Sequence, residues 1–340
     1  MEKGRQKYID VMKGIGILLV CLGHCISVTK QPINTFLLSF HMPLFFFVSG
    51  MLLNRSSGGG GTREKDIKFF VKRKVRTIIV PQLVCGIIGI FQNTLKVYVA
   101  HKDVTIVTIG LLGWFLIVLF LMEVIIKTVI SMTQKPKHYL LCILFAVISF
   151  VLVNTIYIHY GEKIHSEVVS YFCMIFVQLC AALIFGFSGL VLYPIIEKYR
   201  EKKMYPGFGL LLLILTAVLS MYNTPVVMGA NNYGNIAMFL ITSYFGIAAT
   251  IHISIVLQDA DFLSFFGKNS IIIYVNQFIL SLILRGLVNK VFHTSTGEYP
   301  GFLIAFFCLV VVQYPIIWLS NKYVPFLFGK KRIDILNGTK

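Results

Sequence analysis

The sequence predicts an all-α integral membrane protein, a bundle of about ten transmembrane helices with both termini in the cytoplasm. Hydrophobic residues make up 57% of the 340 residues, and charged residues make up only 13%. The mean hydropathy of +0.81 lies far above that of a soluble domain. Apolar runs long enough to cross a hydrocarbon core of about 30 Å recur along the whole length. We therefore expect residues 1–340 to form a single membrane domain.

The distribution of basic residues supports this number of spans. With the N-terminus inside, the segments between spans that face the cytoplasm hold 25 of the 31 Lys and Arg residues, the excess that cytoplasmic loops carry. The predicted spans are 14–30, 35–53, 77–95, 104–126, 138–156, 168–193, 207–222, 236–257, 270–288 and 302–320. The cytoplasmic segments are then 1–13, 54–76, 127–137, 197–205, 258–269 and 321–340.

Two of these cytoplasmic segments have a distinctive composition. The run SSGGGGT at 56–62 is of low complexity and cannot pack a core, so we expect a flexible loop at 54–66. The basic stretch that follows contains Phe69 and Phe70 among lysines and arginines, which predicts an amphipathic segment at the membrane interface. Residues 321–340 are expected to form a cytoplasmic tail.

The basic charge of the chain indicates orientation in a membrane and not nucleic-acid binding. The formal net charge is +17, but it is spread over several short loops, as orientation and anionic lipid headgroups require. All seven cysteines fall within predicted spans, which argues against a disulfide framework. Cys21, His24 and Cys25 lack the second ligand pair that a zinc site needs. We therefore expect a multi-pass protein of the plasma membrane that contacts lipid, with no metal and no nucleic acid.

Two histidines inside predicted spans are the main candidates for chemistry, because polar groups in hydrocarbon are costly. His24 follows Lys13 by eleven residues, which places both on one helix face about 16–17 Å apart. His41 has a matching depth in the next, antiparallel span, so the two imidazoles could meet. Pro43 should free the carbonyl of Ser39 for a ligand or water. Histidine accepts and returns protons near neutral pH, as a general base must; the alternative is a packing histidine.

Other polar residues lie near the ends of spans or within them. Asp10 can cap the first helix or form a local ion pair. Glu123 can pair with Lys127 on a helix surface. Arg73 and Arg76 share a helix face and could grip phosphates. The candidates for substrate contacts are Asp10, Trp114, Asn276 and Gln277.

Together these motifs resemble the acyltransferase 3 family of multispan membrane enzymes. The family pattern of a basic residue, ten others and a histidine is met by Lys13 and His24. The segments YIDVMKGIGILLVCLGH, FHMPLFFFVSGMLL, RTIIVP, GWFL and FGKNSIIIYV occur in family order. Where many relatives have a late histidine, this chain has Asn276 and Gln277, which can hydrogen-bond but cannot relay a proton. The chain resembles the stand-alone form of the family, without a fused hydrolase-like domain.

The resemblance implies an O-acyltransferase that moves an acetyl group from acetyl-CoA to a hydroxyl of a cell-envelope carbohydrate. It implies that His24 is essential for transfer. We expect His24 to act as general base or acyl carrier, and His41 to position a reactant or shuttle the proton. Lys13, Arg73 and Arg76 would bind the acyl-CoA donor. Two alternatives remain open: a transporter or flippase for a lipid-linked sugar, which requires neither the spacing of Lys13 and His24 nor a basic pair, and an acyltransferase-like scaffold without catalysis. The identity of the acceptor and the oligomeric state are left open.

Overall fold

The computed structural model describes residues 6–26, 32–58, 67–87, 89, 113–133, 135–202, 205–293 and 300–330. Within these ranges the regular structure is helical, and Val227 and Asn232 form an isolated β-bridge. The all-α prediction is confirmed.

The helices follow the apolar runs of the sequence, with short connections. They are α1 (Lys7–Cys25), α2 (Pro32–Gly58), α3 (Ile67–Lys74), α4 (Phe115–Met132), α5 (Pro136–Tyr160), α6 (Glu167–Arg200), α7 (Pro206–Ser220), α8 (Ile236–Val256), α9 (Asp261–Lys268), α10 (Ser270–Phe292) and α11 (Gly301–Tyr323). A π-helical turn, Val75–Ile79, continues α3 into helical residues 80–87. In the described part of the chain, 8 helices are long and apolar enough to cross a membrane. The multi-pass prediction is therefore confirmed, and the number ten stays a prediction.

Several predicted boundaries differ from the observed ones. The seventh predicted span is α7, a helix of 15 residues, which at about 1.5 Å per residue is shorter than the hydrocarbon core. The fourth predicted span, 104–126, corresponds to α4, which begins at Phe115 and continues to Met132; residues 104–112 lie outside the described residues. The third, 77–95, holds most of the π-helical turn, and its positions 88 and 90–95 are also outside them.

Two segments predicted as loop or tail are partly helical. Helix α2 continues through Gly58, into the predicted loop at 54–66, and positions 59–66 of that loop lie outside the described residues. In the predicted tail at 321–340, α11 ends at Tyr323 and a 3-10 turn follows at Pro325–Phe328. This turn packs against the π-helical turn after α3. Residues 331–340 lie outside the described part.

Helices α1 and α2 join two groups of helices. Helix α6, the longest at 34 residues, packs along α2, α4 and α5. Helix α1 packs against α9, α10 and α11, and it also contacts α2 and α8. Glycines bring these helices backbone to backbone: a Cβ at Gly14 or Gly267 would overlap the backbone across the α1–α9 contact, and one at Gly50 or Gly189 would do so between α2 and α6. Small residues allow this close approach in membrane bundles.

The described residues of the six segments predicted to be cytoplasmic lie at one end of the bundle, which we call the Lys13 end. Which face of the membrane this end occupies stays a prediction. The contacts that join the segments are Gln6 with Glu197 at 2.5 Å, Lys7 with Asp259 at 3.0 Å, Lys330 with Asn269 at 2.7 Å, Lys127 over the ring of Phe70 at 5.8 Å, and Pro325–Phe328 with Val75–Ile79.

The contact between α1 and α9 should be sensitive to a single methyl group. In Gly267→Ala the new Cβ overlaps the carbonyl oxygen of Asp10, so we expect the free energy of unfolding to fall by about 1–3 kcal/mol. Gly286→Ala is the matched control, because a Cβ there meets nothing within 4 Å and alanine favours a helix. Thermal unfolding of the detergent-solubilised protein measures both. Equal melting temperatures for the two variants would contradict this account of the contact.

Candidate active site

His24 and His41 lie in the wall of the same cavity. This cavity, which we call the histidine cavity, has a volume of about 440 Å³. His24, in the last turn of α1, packs edge-on against Phe278 of α10 with 5.4 Å between ring centroids. The Nδ1 atom of His41 lies 2.6 Å from the carbonyl oxygen of Leu37. Because a carbonyl oxygen only accepts, Nδ1 carries the proton and Nε2 remains an acceptor. The structure thus brings together the two imidazoles that the sequence singled out.

The carbonyl group that Pro43 leaves without its helical donor has a partner from another helix. Pro43 lies inside α2, and the hydroxyl of Ser243 in α8 donates to the carbonyl oxygen of Ser39 at 2.7 Å. The expectation that this carbonyl is available to a ligand or water is therefore wrong. The hydrogen bond instead attaches the centre of α2 to α8, half a turn from His41 along the chain.

Of the two neighbouring amides on α10, Asn276 and Gln277, only Gln277 lines the histidine cavity. Gln277 is 3% exposed, and its Oε1 atom has no hydrogen-bond partner among the described residues. Asn276 donates to the carbonyl of Ile272 and accepts from Gln313 of α11, both at 2.8 Å, so it joins α10 to α11. Trp114, which precedes α4, also lines the cavity. Gln277 and Trp114 are therefore placed to contact a ligand there, and Asn276 has a structural role.

A second cavity, of about 290 Å³, lies at the Lys13 end. We call it the basic cavity because four lysines from four parts of the chain line it. The Nζ atom of Lys330 donates to the side-chain oxygens of Asn269 at 2.7 Å and Asn321 at 2.8 Å, and these bonds hold the end of the described chain against the cavity. The lining lysines are Lys13, Lys74, Lys268 and Lys330. Such a concentration of cations beside an apolar wall favours an anionic ligand.

The two cavities are stacked along the bundle. On α1, Lys13 lines the basic cavity and His24 lines the histidine cavity. On the antiparallel α2 the order reverses, with Ser49 lining the basic cavity and His41 the histidine cavity. The walls of the two cavities share residues, so the cavities are adjacent. The shared residues are Phe115 of α4 and Tyr274 of α10.

Glu123 lies in the wall of the basic cavity and is buried, so its expected role on a helix surface is wrong. Its carboxylate accepts a hydrogen bond from the hydroxyl of Ser49 and forms an ion pair with Lys74, with 2.7 Å between Nζ and Oε2. Lys127 is also buried and lies over the ring of Phe70. Glu123 thus links α2, α3 and α4 where they surround the basic cavity.

The predicted donor-binding residues divide into two groups. Lys13 lines the basic cavity and forms an ion pair with Asp10 at 3.0 Å. Asp10 is buried but lines neither cavity, so it positions Lys13. Arg73 and Arg76 are exposed, and the guanidinium of Arg73 lies 5.6 Å from the ring centre of Phe70. Lys74 follows Arg73 directly and lies on a different face of the helix, because adjacent helical residues are rotated by about 100°. On that face Lys74 lines the basic cavity.

Comparison with known proteins decides the family. A family model described as an acyltransferase domain, that of the acyltransferase 3 family, matches residues 6–325, nearly the whole chain. The chain belongs to the acyltransferase 3 family. Neither a curated protein nor a solved structure matches it significantly. Family membership supports a membrane acyltransferase, as the resemblance implied.

The sequence analysis of this acyltransferase missed three basic residues. Lys268 and Lys330 line the basic cavity, although they are far from Lys13 in sequence. The sequence signal for Lys268 was its place in the segment FGKNSIIIYV, and Lys330 had no such signal. Arg285 lies within α10, and its Nη1 atom is 3.5 Å from the carbonyl oxygen of His24. A cation at the C-terminal end of a helix is favourable, so Arg285 stabilises the last turn of α1.

In the described residues no group of three or more His, Cys, Asp or Glu side chains could hold a metal ion.

Breaking the ion pair between Lys74 and Glu123 should destabilise the protein more than removing both charges. Glu123→Ala leaves Lys74, whose side chain is 21% exposed, without its carboxylate, and we expect a loss of about 1–3 kcal/mol in the free energy of unfolding, the cost of removing the partner of a largely buried polar group. The double variant Lys74→Ala/Glu123→Ala should lose less. Asp259→Ala, which removes an exposed pair with Lys7, should change little. Chemical denaturation in detergent gives these values, and a double variant less stable than Glu123→Ala would contradict the assignment.

Proposed function

We propose that this member of the acyltransferase 3 family transfers an acetyl group from acetyl-CoA to a hydroxyl of a cell-envelope carbohydrate at the plasma membrane. The observation that carries the proposal is the stacking of a basic cavity against a cavity with two imidazoles. An acyl transfer from CoA needs both: cations for the phosphates of the donor, and a base for the hydroxyl of the acceptor. A flippase for a lipid-linked sugar requires neither, and family membership favours the enzyme.

The donor enters from the Lys13 end, which the excess of basic residues assigns to the cytoplasm. Its phosphates bind in the basic cavity to Lys13, Lys268 and Lys330, which line it. Arg73 and Arg76, exposed on the same end, attract the donor to the mouth of this cavity. The pantetheine arm then extends along α1, on which about 16–17 Å separate Lys13 from His24, and delivers the thioester toward the histidine cavity.

His24 acts as the general base in the transfer step. Its imidazole takes the proton from the acceptor hydroxyl as the oxygen attacks the thioester carbonyl. The carbon–oxygen bond forms, the carbon–sulfur bond breaks, and the CoA thiolate leaves and receives the proton from His24. In the covalent variant of this mechanism, His24 first carries the acetyl group and then passes it to the acceptor. Labelled protein after incubation with radioactive acetyl-CoA, in the absence of acceptor, would favour the covalent variant.

The acceptor binds in the histidine cavity beside the base. The free Nε2 atom of His41 can accept a hydrogen bond from a hydroxyl, because Nδ1 is bound to the carbonyl of Leu37. The Oε1 atom of Gln277, which has no hydrogen-bond partner among the described residues, can accept another. The indole of Trp114 offers an apolar face of the kind on which a sugar ring packs. Two acceptors and a flat apolar surface suit a carbohydrate better than an apolar alcohol.

His24→Ala should lower acetylation of the acceptor by about a hundredfold or more, the usual contribution of a general base. His159→Ala is the matched control, because His159 is an exposed histidine on α5. The measurement is mass spectrometry of envelope glycans from a deletion strain that expresses each variant. Full acetylation in the strain with His24→Ala would refute the proposed function.

Replacing Lys268 and Lys330 together with glutamine should raise KM for acetyl-CoA about tenfold or more, because each hydrogen bond to a charged group contributes about 1.5–3 kcal/mol, and should leave kcat nearly unchanged. Lys290→Gln, an exposed lysine in the last turn of α10, is the control. Incorporation of radioactive acetyl groups by isolated membranes gives both constants.

The same assay distinguishes the two groups of basic residues. Arg73→Gln and Arg76→Gln should have smaller effects on KM than the lysine pair, and these effects should weaken at high salt because both side chains are exposed. A large rise in KM for the arginine variants alone would place the donor phosphates on α3 and contradict binding in the basic cavity.

A further inference from the structure

The two cavities are separated by aromatic rings. Phe115 and Tyr274 line both cavities, and their ring centroids are 5.3 Å apart. Phe45 lines only the basic cavity and packs edge-on against Phe115, with 5.7 Å between centroids. We call these three residues the aromatic partition. They come from three different helices, α2, α4 and α10, so no single helix determines the width of the passage between the cavities.

The position of each ring along its helix matches the boundary between the cavities. On α10, Ile272 lines the basic cavity, Val275 lines the histidine cavity, and Tyr274 between them belongs to both. At the start of α4, Leu116 lines the basic cavity and Trp114, which precedes the helix, lines the histidine cavity, with Phe115 between them. The partition therefore lies between the lysines and the imidazoles, where a donor bound at the lysines must present its acyl group.

The central ring of the partition is held tightly in place. Phe115 is 5% exposed, and Phe46 and Trp114 pack against it at 5.4 Å and 5.8 Å between centroids. A ring held by neighbours on several sides cannot swing away without repacking them. The rings of Phe115 and Tyr274 are tilted by 48° and are in contact, so together they close the apolar space between the two cavities. A thioester that reaches the imidazoles must displace these rings, and a short acyl group requires the smallest displacement.

We propose that Phe115 and Tyr274 determine which acyl groups are transferred, by admitting an acetyl thioester to the histidine cavity and excluding longer chains. This inference rests on the proposed function, because it concerns the donor of that reaction. The rings of Phe45 and Tyr274 are both in contact with that of Phe115, so a longer acyl chain that enters between the cavities displaces them further than an acetyl group does. Replacing either ring with a smaller side chain opens the passage to a longer acyl group.

The test compares radioactive acetyl-CoA and butyryl-CoA as donors for membranes that contain the full chain and its endogenous acceptor. Phe115→Leu and Tyr274→Leu should each raise the ratio of butyryl to acetyl incorporation about tenfold or more, the scale on which an apolar site discriminates methylene groups. Phe120→Leu, the same substitution on the same helix away from both cavity walls, should leave the ratio unchanged. Tyr274→Phe, which keeps the ring, should also leave it unchanged.

Each outcome has a distinct meaning. An unchanged ratio in both leucine variants, with acetyl transfer still present, would overturn the role of the partition and leave the proposed function intact. A ratio that rises equally in Phe120→Leu would also overturn it, because the effect would then be general loosening. Wild-type membranes that incorporate no more acetyl label than membranes lacking the chain would instead refute the proposed function.

A second measurement needs no acyl transfer and covers variants that are inactive. Cys85 lines the histidine cavity, and the other cysteines can be replaced by alanine. An impermeant thiol reagent applied to sealed vesicles at the Lys13 end should modify Cys85 slowly in this background and faster when Phe115→Leu or Tyr274→Leu is added. Equal rates with and without these substitutions would show that the rings do not separate the cavities.

Discussion

The close contact between α1 and α9 is the constraint on which the arrangement of the cavities depends. Gly14 and Gly267 have no room for a side chain, because each faces the backbone of the other helix. This contact brings Lys268 and Asn269 to the end of α1 that carries Lys13. Asn269 then accepts a hydrogen bond from Lys330, which brings in the end of the described chain. A basic cavity is assembled in this way from segments that are remote in sequence.

The cost of burying polar groups explains how the walls of the basic cavity are organised. A charge in or near hydrocarbon must be paired or hydrated. Asp10 pairs with Lys13, and Glu123 pairs with Lys74 while accepting a hydrogen bond from Ser49. These carboxylates offset part of the positive charge and hold the lysine side chains in place. An anionic ligand therefore meets cations that are already positioned, which lowers the entropic cost of binding.

The histidine cavity follows a different principle, since its polar groups are few and neutral. The Nδ1 atom of His41 is engaged by a backbone carbonyl, and the carbonyl that Pro43 frees is engaged by Ser243. Among the residues that line the cavity, the Oε1 atom of Gln277 has no hydrogen-bond partner in the described part of the chain. The rings of Phe115 and Tyr274 lie between this cavity and the lysines of the basic cavity. They keep the two imidazoles apart from the charges at the Lys13 end.

The sequence by itself determined the all-α membrane class, most of the spans and the family. It also indicated that His24 and His41 lie at matching depth on neighbouring helices. These features depend on local quantities: hydropathy over about twenty residues, the rise of a helix, and short motifs. The sequence analysis wrongly expected Glu123 to lie on a helix surface and the carbonyl of Ser39 to be available to a ligand. It did not identify Lys268, Lys330 and Arg285. Their surroundings depend on which helices pack together, and helices in a membrane are paired by the fit of small residues and polar groups and not by periodicity. Only the tertiary structure decided that the lysines share one cavity, that the imidazoles share the next, and that Phe115 and Tyr274 lie between them.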